Sequence, residues 1–269
     1  MVGARVHDED AGRVPSAEIP STRRVRRCQG PRMGDLGPTE LRLMQGLAQR
    51  VTALRPELLK GDATVGELAW VWAKDYDALN QFWRHRFWFV DGRLAGWGWV
   101  HLPHRVQPSD GKVREADVPA PVLPRGFRFV SAADVSVADV VTAHRNAWYP
   151  SGLTEAAFER VRRTWPYRAD LHVLIEAADG TLAATASVWL DDATRTAEFE
   201  PVGTHRDFRR RGLGTALQLH GMQLARAAGA NRMLVACLGA PAHPAARNMY
   251  YGVGFRELTR DVPLIKVAA

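Results

Sequence analysis

The sequence has little cysteine, little lysine and no long hydrophobic run. Its two cysteines, Cys28 and Cys237, are too few for a disulfide framework or a multi-cysteine metal site. No apolar stretch approaches the roughly 20 residues of a membrane-spanning helix, and the charged N-terminal stretch lacks the apolar region of a signal peptide. These absences favour a cytoplasmic protein with no metal and no membrane contact.

Lysine supplies only four of the 36 basic residues, so arginine dominates the net charge of +7. Together with abundant alanine and glycine, this bias is typical of a bacterial genome rich in G and C, and a nucleic-acid partner is therefore not expected. Apolar residues make up 46% and charged residues 24%, as in ordinary globular proteins. A length of 269 residues allows one large or two small domains.

Composition divides the chain into four segments. Residues 1–37 contain prolines and a basic run, which is typical of a disordered tail. Residues 38–105 are predicted to form two helices and a hairpin, and the proline-rich residues 106–125 a linker. Residues 126–269 are predicted to form the second and larger domain.

The order helix, helix, strand, Asp-Gly, strand occurs twice. The dipeptides Asp91-Gly92 and Asp179-Gly180 lie 88 residues apart, and each is a strong hairpin signal between two strand-like runs. The repeat predicts an internal duplication whose first copy stops after its hairpin. Six of the nine tryptophans lie between Trp70 and Trp99, which indicates that the two copies are built differently.

The second copy continues with a segment that carries chemistry. A strand over Thr196–Thr204 is followed by R-x-x-G-x-G at Arg209–Gly214, an amphipathic helix and the apolar strand Met233–Leu238. A glycine-bearing turn before a helix binds anions, because unpaired N–H groups and the helix dipole meet there. The spacing differs from the Walker loop and from the dinucleotide motif G-x-G-x-x-G, so another kind of phosphate site is predicted.

With the short helix A-x-x-x-Y-x-x-x-G-F at Ala246–Phe255, this succession resembles the GNAT superfamily of acetyl-CoA-dependent N-acetyltransferases. The resemblance covers Thr196–Phe255 and extends more weakly back to Gly126. The duplication is similar to that of tandem GNAT proteins, the group that includes mycothiol synthase. It implies an α+β fold with a central mixed, mostly antiparallel twisted sheet flanked by helices, preceded by a truncated GNAT-like half.

The resemblance also implies site residues. Acetyl-CoA is expected to contact Val202, Gly203, Thr204, Arg209, Arg210, Arg211, Gly212, Leu213, Gly214 and Thr215. Tyr250 is expected to protonate the departing CoA thiolate. Alternation along the strand places Glu198 and Glu200 on one face, so either carboxylate, directly or through water, is a candidate for removing the proton of an acceptor amine. No metal is implied.

The implied activity is transfer of an acetyl group from acetyl-CoA to an amine by direct attack in a ternary complex. We expect a small-molecule acceptor. The first copy lacks R-x-x-G-x-G, so it is expected to pack against the second copy, form a homodimer or shape an acceptor pocket. Two alternatives stay open: a CoA-binding regulatory protein without turnover, and an acetyltransferase that acts on aminoacyl-tRNA or protein.

Overall fold

The computed structural model describes residues 36–55, 64–101, 109–114, 118–238 and 244–260. The expected disordered tail, except for its last two residues, lies outside these ranges. Within them, no helix combines the length and the apolar character that crossing a bilayer requires. No group of three or more metal-ligating side chains occurs in the same ranges.

The described residues form six α-helices and nine β-strands. The helices are α1 (Pro38–Leu54), α2 (Val65–Leu79), α3 (Val137–Ala147), α4 (Glu155–Arg162), α5 (Leu213–Ala227) and α6 (Pro244–Gly252). The strands are β1 (Trp83–Val90), β2 (Arg93–His101), β3 (Ser109–Arg114), β4 (Phe127–Ser131), β5 (His172–Ala177), β6 (Leu182–Asp191), β7 (Thr196–Thr204), β8 (Arg232–Leu238) and β9 (Arg256–Arg260).

Seven strands form one sheet in the order β4-β5-β6-β7-β8-β3-β9, while β1 and β2 form a separate hairpin. In the large sheet β7 and β8 pair in parallel, and the other neighbouring strands pair antiparallel. Both predicted Asp-Gly turns connect antiparallel strands. The predicted α+β architecture, a mixed and mostly antiparallel sheet flanked by helices, is confirmed.

Local capping chemistry sets several helix starts. Thr64, Ser136 and Thr154 precede α2, α3 and α4, and each side chain accepts a hydrogen bond from the backbone N–H three residues later. Helix α5 begins differently, after Gly212, whose φ of 80° is a left-handed conformation that suits glycine. Its first N–H groups therefore have no side-chain cap.

The sheet carries a buried cluster on each face. On one face, Leu213 and Leu217 of α5 belong to the same cluster as Ile175, Val188 and Phe199 of the sheet. On the other face, Leu174 and Trp189 of the sheet belong to a cluster that includes α1, α2, α3, α4 and the β1–β2 hairpin. The two halves of the chain therefore share one hydrophobic core.

Strand β3 differs from the sequence-based expectation. Residues 109–114 lie inside the segment 106–125, for which composition predicts a linker, but they pair antiparallel with β8 on one side and β9 on the other. The linker prediction does not hold for these six residues. Their partners lie far along the chain, and such pairing leaves no local hydrophobic pattern that a sequence could reveal.

Candidate active site

Strands β7 and β8 separate in the middle of the sheet. They pair only from Thr196 to Phe199 of β7, although β8 continues to Leu238 in its pairing with β3. Beyond Phe199, the β8 side of β7 has no strand partner among the described residues. Val202, Gly203 and Thr204 pair with β6 on their other side, so their free edge lines the gap, where an extended molecule can hydrogen bond to a strand.

The R-x-x-G-x-G motif forms an exposed turn at the start of α5. Arg210 has φ of 65° and Gly212 has φ of 80°, and a Cβ placed on Gly212 would meet no atom within 4 Å. Leu213 is buried and Thr215 is exposed. The free N–H groups of this first turn, together with the helix dipole, make a site for an anion.

The three arginines of the motif have different surroundings. Arg209 donates hydrogen bonds to the carbonyl oxygen of Thr204 at 3.2 Å and to that of Ala147 at 3.0 Å. It therefore ties the end of α3 to the end of β7. Arg210 and Arg211 are exposed, and the Arg211 guanidinium lies 5.2 Å from the Phe208 ring centroid. Arg209 is exposed as well, but its guanidinium makes the two hydrogen bonds given above, whereas no hydrogen bond to another described residue is made by Arg210 or Arg211.

Gly214 packs closely against α6. A Cβ on Gly214 would lie 2.6 Å from the Met249 sulfur atom, so glycine allows α5 and α6 to approach. The next residue of α6, Tyr250, is buried, with its ring centroid 5.9 Å from that of Phe255. Burial raises the pKa of Tyr250 above its ordinary value, and the charges of Glu200 and Cys237 act in the same direction. The phenol therefore keeps its proton at neutral pH.

Tyr250 thus lies near both separating strands, since the ionised forms of Glu200 on β7 and Cys237 on β8 both raise its pKa. Cys237 is a buried cysteine, as the apolar character of its strand predicts. The gap between the strands, the arginine-glycine turn and Tyr250 lie in one region. The structure therefore brings the residues of the sequence motifs together around the place where the sheet opens.

Glu198 is a buried carboxylate that contacts the N-terminal half. Its Oε2 atom accepts a hydrogen bond from the Thr64 hydroxyl and one of 3.3 Å from the Glu67 backbone N–H. Burial raises the pKa of Glu198 to about 8, the charge of Glu67 adds to this, and the two hydrogen bonds oppose it. The first turn of α2 therefore lies directly against this carboxylate.

Glu200, two residues further on, has different surroundings. It is half-buried, and its carboxylate forms no hydrogen bond to any other described residue, while its backbone oxygen accepts a hydrogen bond of 2.5 Å from the Trp189 indole. Burial and the charge of Glu198 raise the pKa of Glu200, and Lys74 of α2 opposes this shift. This carboxylate is available to a ligand in a way that Glu198 is not.

An aromatic wall that the sequence motifs do not reveal adjoins the gap. The His144 ring stacks on Trp148 at 4.5 Å and lies 5.5 Å from Trp70 of α2. A Cβ on Gly203 would come within 2.5 Å of the Trp148 ring, so the ring covers the backbone of β7. Burial, with smaller contributions from Lys74 and Arg145, lowers the pKa of His144 to about 4, so the wall is uncharged at neutral pH.

No local signal identifies this wall, because its rings come from two helices in different halves. The sequence shows that Trp70 belongs to a cluster of tryptophans, but it does not show that His144 and Trp148 lie beside it. Of the cavities between described residues, one of about 20 Å³ adjoins Glu198 and Thr64 and has room for roughly one water molecule. A larger cleft of about 390 Å³, lined by Arg195, Arg226 and others, includes no predicted site residue.

Residues 138–255 match the model of the Acetyltransferase (GNAT) family. This range includes every site residue that the resemblance implied. No curated protein sequence matches the chain.

Three solved structures are among those to which the chain is similar. A GCN5-related N-acetyltransferase from Sphaerobacter thermophilus is 14% identical, with 83% of this chain and 91% of that chain covered and a TM-score of 0.55. A tandem GNAT protein from the clavulanic acid biosynthesis pathway is 14% identical, with 81% and 92% covered and a TM-score of 0.49. A GCN5-related N-acetyltransferase from Kribbella flavida is 22% identical, with 58% and 56% covered and a TM-score of 0.41.

The first of these similarities shows that the chain has the GNAT fold. The fold implied by the sequence motifs is therefore confirmed, and the motifs lie inside the residues that match the family model. The particular likeness to mycothiol synthase stays a prediction.

Proposed function

We propose that the protein transfers an acetyl group from acetyl-CoA to an amine of a small molecule by direct attack in a ternary complex, and the match of residues 138–255 to the Acetyltransferase (GNAT) family model supports this proposal. The observation that carries this proposal is the opening between β7 and β8, beside which Gly214 of the turn packs against Thr204 of β7 and against Met249, the residue before Tyr250. A strand edge, an anion site and a proton donor lie around one gap.

The residues at this gap fit acetyl-CoA. The edge at Val202, Gly203 and Thr204, apart from the Thr204 carbonyl oxygen that Arg209 contacts, offers backbone groups to the pantetheine arm. The first-turn N–H groups of α5, with the exposed charges of Arg210 and Arg211, suit the pyrophosphate. When bound, acetyl-CoA supplies the activated acetyl thioester.

Two proton transfers are assigned to side chains of this chain. An acceptor amine is protonated at neutral pH, and Glu200 or Glu198 removes that proton before attack on the acetyl group, directly or through a water molecule. Tyr250 holds its proton and donates it to the departing thiolate. No covalent enzyme intermediate is needed, since the amine attacks the acetyl group directly.

The acceptor is proposed to lie against the aromatic wall of Trp148, His144 and Trp70. Trp148 is half-buried and borders Gly203 of β7, so a molecule at the gap can contact it. An apolar wall with a few polar groups beside it is typical of a small-molecule site. We propose that the reaction takes place in the cytoplasm of a bacterium.

The test is a panel of small amines incubated with isotope-labelled acetyl-CoA and analysed by mass spectrometry. With the amine that gives a product, Tyr250→Phe is expected to lower kcat by about 10²-fold because the thiolate loses its proton donor. Acetyl-CoA binding, measured by calorimetry, should persist. The matched control is Tyr251→Phe, which changes the neighbouring tyrosine of the same helix and should keep the wild-type kcat.

Tight binding of acetyl-CoA without transfer to any amine of the panel would contradict the proposal. That result would favour a CoA-binding regulatory protein. An equal loss of kcat in Tyr250→Phe and Tyr251→Phe would remove the specific role of Tyr250.

A further inference from the structure

The N-terminal end of α2 forms a close contact with β7. Thr64 caps this helix: its oxygen accepts the Glu67 N–H at 3.1 Å, and its hydroxyl donates to Oε2 of Glu198. The Glu67 N–H also lies 3.3 Å from the same carboxylate oxygen. One oxygen of Glu198 therefore takes two donors from the N-terminal half.

The contact leaves no space for a side chain at the first turn of α2. A Cβ on Gly66 would lie 2.6 Å from the Trp189 side chain and 2.7 Å from Oε2 of Glu198. Trp189 in turn donates its indole N–H to the backbone oxygen of Glu200. Helix α2, Trp189 and the two glutamates are thus one packed unit.

The two carboxylates are not equivalent in this unit. Glu198 is 4% exposed and its hydrogen bonds are made to α2. Glu200 is half-buried, has no hydrogen-bond partner for its carboxylate among the described residues, and is the carboxylate whose charge acts on Tyr250. Of the two, only Glu200 combines a carboxylate without hydrogen bonds to described residues with an effect on the pKa of Tyr250.

We propose, building on the proposed function, that the N-terminal half acts on the reaction through Glu198. The first turn of α2 holds the Glu198 carboxylate in place, so that its charge lies beside Glu200. Glu200 takes the proton from the acceptor amine. Glu198 is then a positioning residue. The N-terminal half, which lacks an acetyl-CoA motif, then contributes to catalysis by setting the surroundings of the general base Glu200.

The charged groups around Glu200 determine the direction in which its pKa changes when Glu198 is altered. From its own strand, Glu198 raises the pKa of Glu200, and Lys74 of α2 lowers it. Glu67 of α2 raises the pKa of Glu198, and the Thr64 hydroxyl lowers it.

The remaining neighbours change this balance little. Tyr250 of α6 stays neutral because its pKa is raised, and His144 of α3 is neutral at pH 7 because its pKa is lowered to about 4. Cys237 of β8 raises the pKa of Tyr250 rather than that of Glu200. Removing the charge of Glu198 therefore lowers the pKa of Glu200.

The experiment measures the pH profile of acetyl transfer with one amine from the panel, so that the titration of the amine is the same in every variant. Activity needs ionised Glu200 and rises with pH. Glu198→Gln is expected to move the rising limb to lower pH by roughly one unit. Glu200→Gln is expected to lower the plateau kcat by about 10²-fold.

Variants at Thr64 test whether α2 is the origin of the effect. Thr64→Val removes a hydrogen bond that favours ionised Glu198, so Glu198 carries less charge. The rising limb of the pH profile should therefore move to lower pH, by less than in Glu198→Gln. Thr64→Ser keeps the hydroxyl and should restore the wild-type profile. The matched control, Thr154→Val, removes the equivalent cap of α4 and should lower the Tm without moving the limb.

A second measurement needs no acceptor. Carbon-13 NMR of the glutamate carboxyls, assigned with Glu198→Gln and Glu200→Gln, should show Glu200 titrating at lower pH once Glu198 is neutral. Movement of this titration without any acetyl transfer would refute the proposed function and leave the coupling in place. The coupling proposal would be overturned if the Glu200 titration did not move in Glu198→Gln. It would also be overturned if Glu198→Gln lowered kcat more than Glu200→Gln does, or if Thr64→Val and Thr154→Val shifted the rising limb of the pH profile equally.

Discussion

At the residue scale, identical side chains in one motif have different tasks because their neighbours differ. Arg209 donates hydrogen bonds to the carbonyl oxygens of Thr204 and Ala147. Arg210 is exposed beside the start of α5, which has no side-chain cap. The family resemblance implied that both contact acetyl-CoA. The geometry makes Arg209 a support of the turn and leaves Arg210 available to phosphate.

This difference predicts opposite effects of two alanine substitutions. Arg209→Ala should lower the free energy of unfolding by about 1–3 kcal/mol, because it removes two hydrogen bonds from a charged donor. Arg210→Ala should leave unfolding unchanged and weaken acetyl-CoA binding. Urea denaturation and calorimetry measure the two quantities.

The control for both substitutions is Arg211→Ala, which removes an exposed charge near the same turn. It should reduce acetyl-CoA affinity and keep stability. If Arg209→Ala unfolds at the wild-type urea concentration, the two hydrogen bonds do not stabilise the turn.

At the element scale, the close approach of α2 to the sheet depends on one glycine. The Cβ that alanine would add at Gly66 lies 2.6 Å from Trp189, a separation that real Cβ atoms do not tolerate, so the helix must shift. Overpacking of this kind typically costs about 1–3 kcal/mol. The sequence shows Gly66 only as a glycine in a helical pattern.

Gly66→Ala is therefore expected to destabilise the protein despite the better helix propensity of alanine. The matched control is Gly46→Ala in α1, where the nearest atom to the added Cβ is the end of the Arg50 side chain at 3.7 Å. That substitution should stabilise by about 0.5–1 kcal/mol. Denaturation midpoints of the two variants should move in opposite directions, and a stabilised Gly66→Ala would contradict the packing described above.

At the scale of the whole molecule, the two halves share a core instead of forming two independent domains. Leu174 and Trp189 of the large sheet are buried in the cluster that includes α1 and α2. Strand β3, which precedes the second half, completes that sheet between β8 and β9. Removal of the first half would expose the apolar face on which Trp189 lies.

A chain that begins at residue 106 is therefore expected to lose cooperative unfolding and to bind a hydrophobic dye such as ANS. Circular dichroism and dye fluorescence measure this outcome. A chain that lacks only residues 1–35 is the control and should unfold like the full chain. Cooperative unfolding of the shorter chain without dye binding would show that the second half folds alone.

The sequence by itself determined most of the elements and the fold class. Asp-Gly turns, capping residues such as Thr154, and the R-x-x-G-x-G and A-x-x-x-Y motifs act over a few neighbouring residues, so their structural meaning can be read locally. The structure opens β7 from β8 at Val202, Gly203 and Thr204, where the resemblance implied contacts with acetyl-CoA.

Only the tertiary structure decided how distant residues are used. The insertion of β3 into the sheet, the covering of Gly203 by Trp148 and the contact of Thr64 with Glu198 join residues that lie far apart in the chain. Each depends on which surfaces are buried together, and that choice minimises the exposed apolar area of the whole chain. No local pattern records it, which is why one strand carries two similar glutamates with different surroundings.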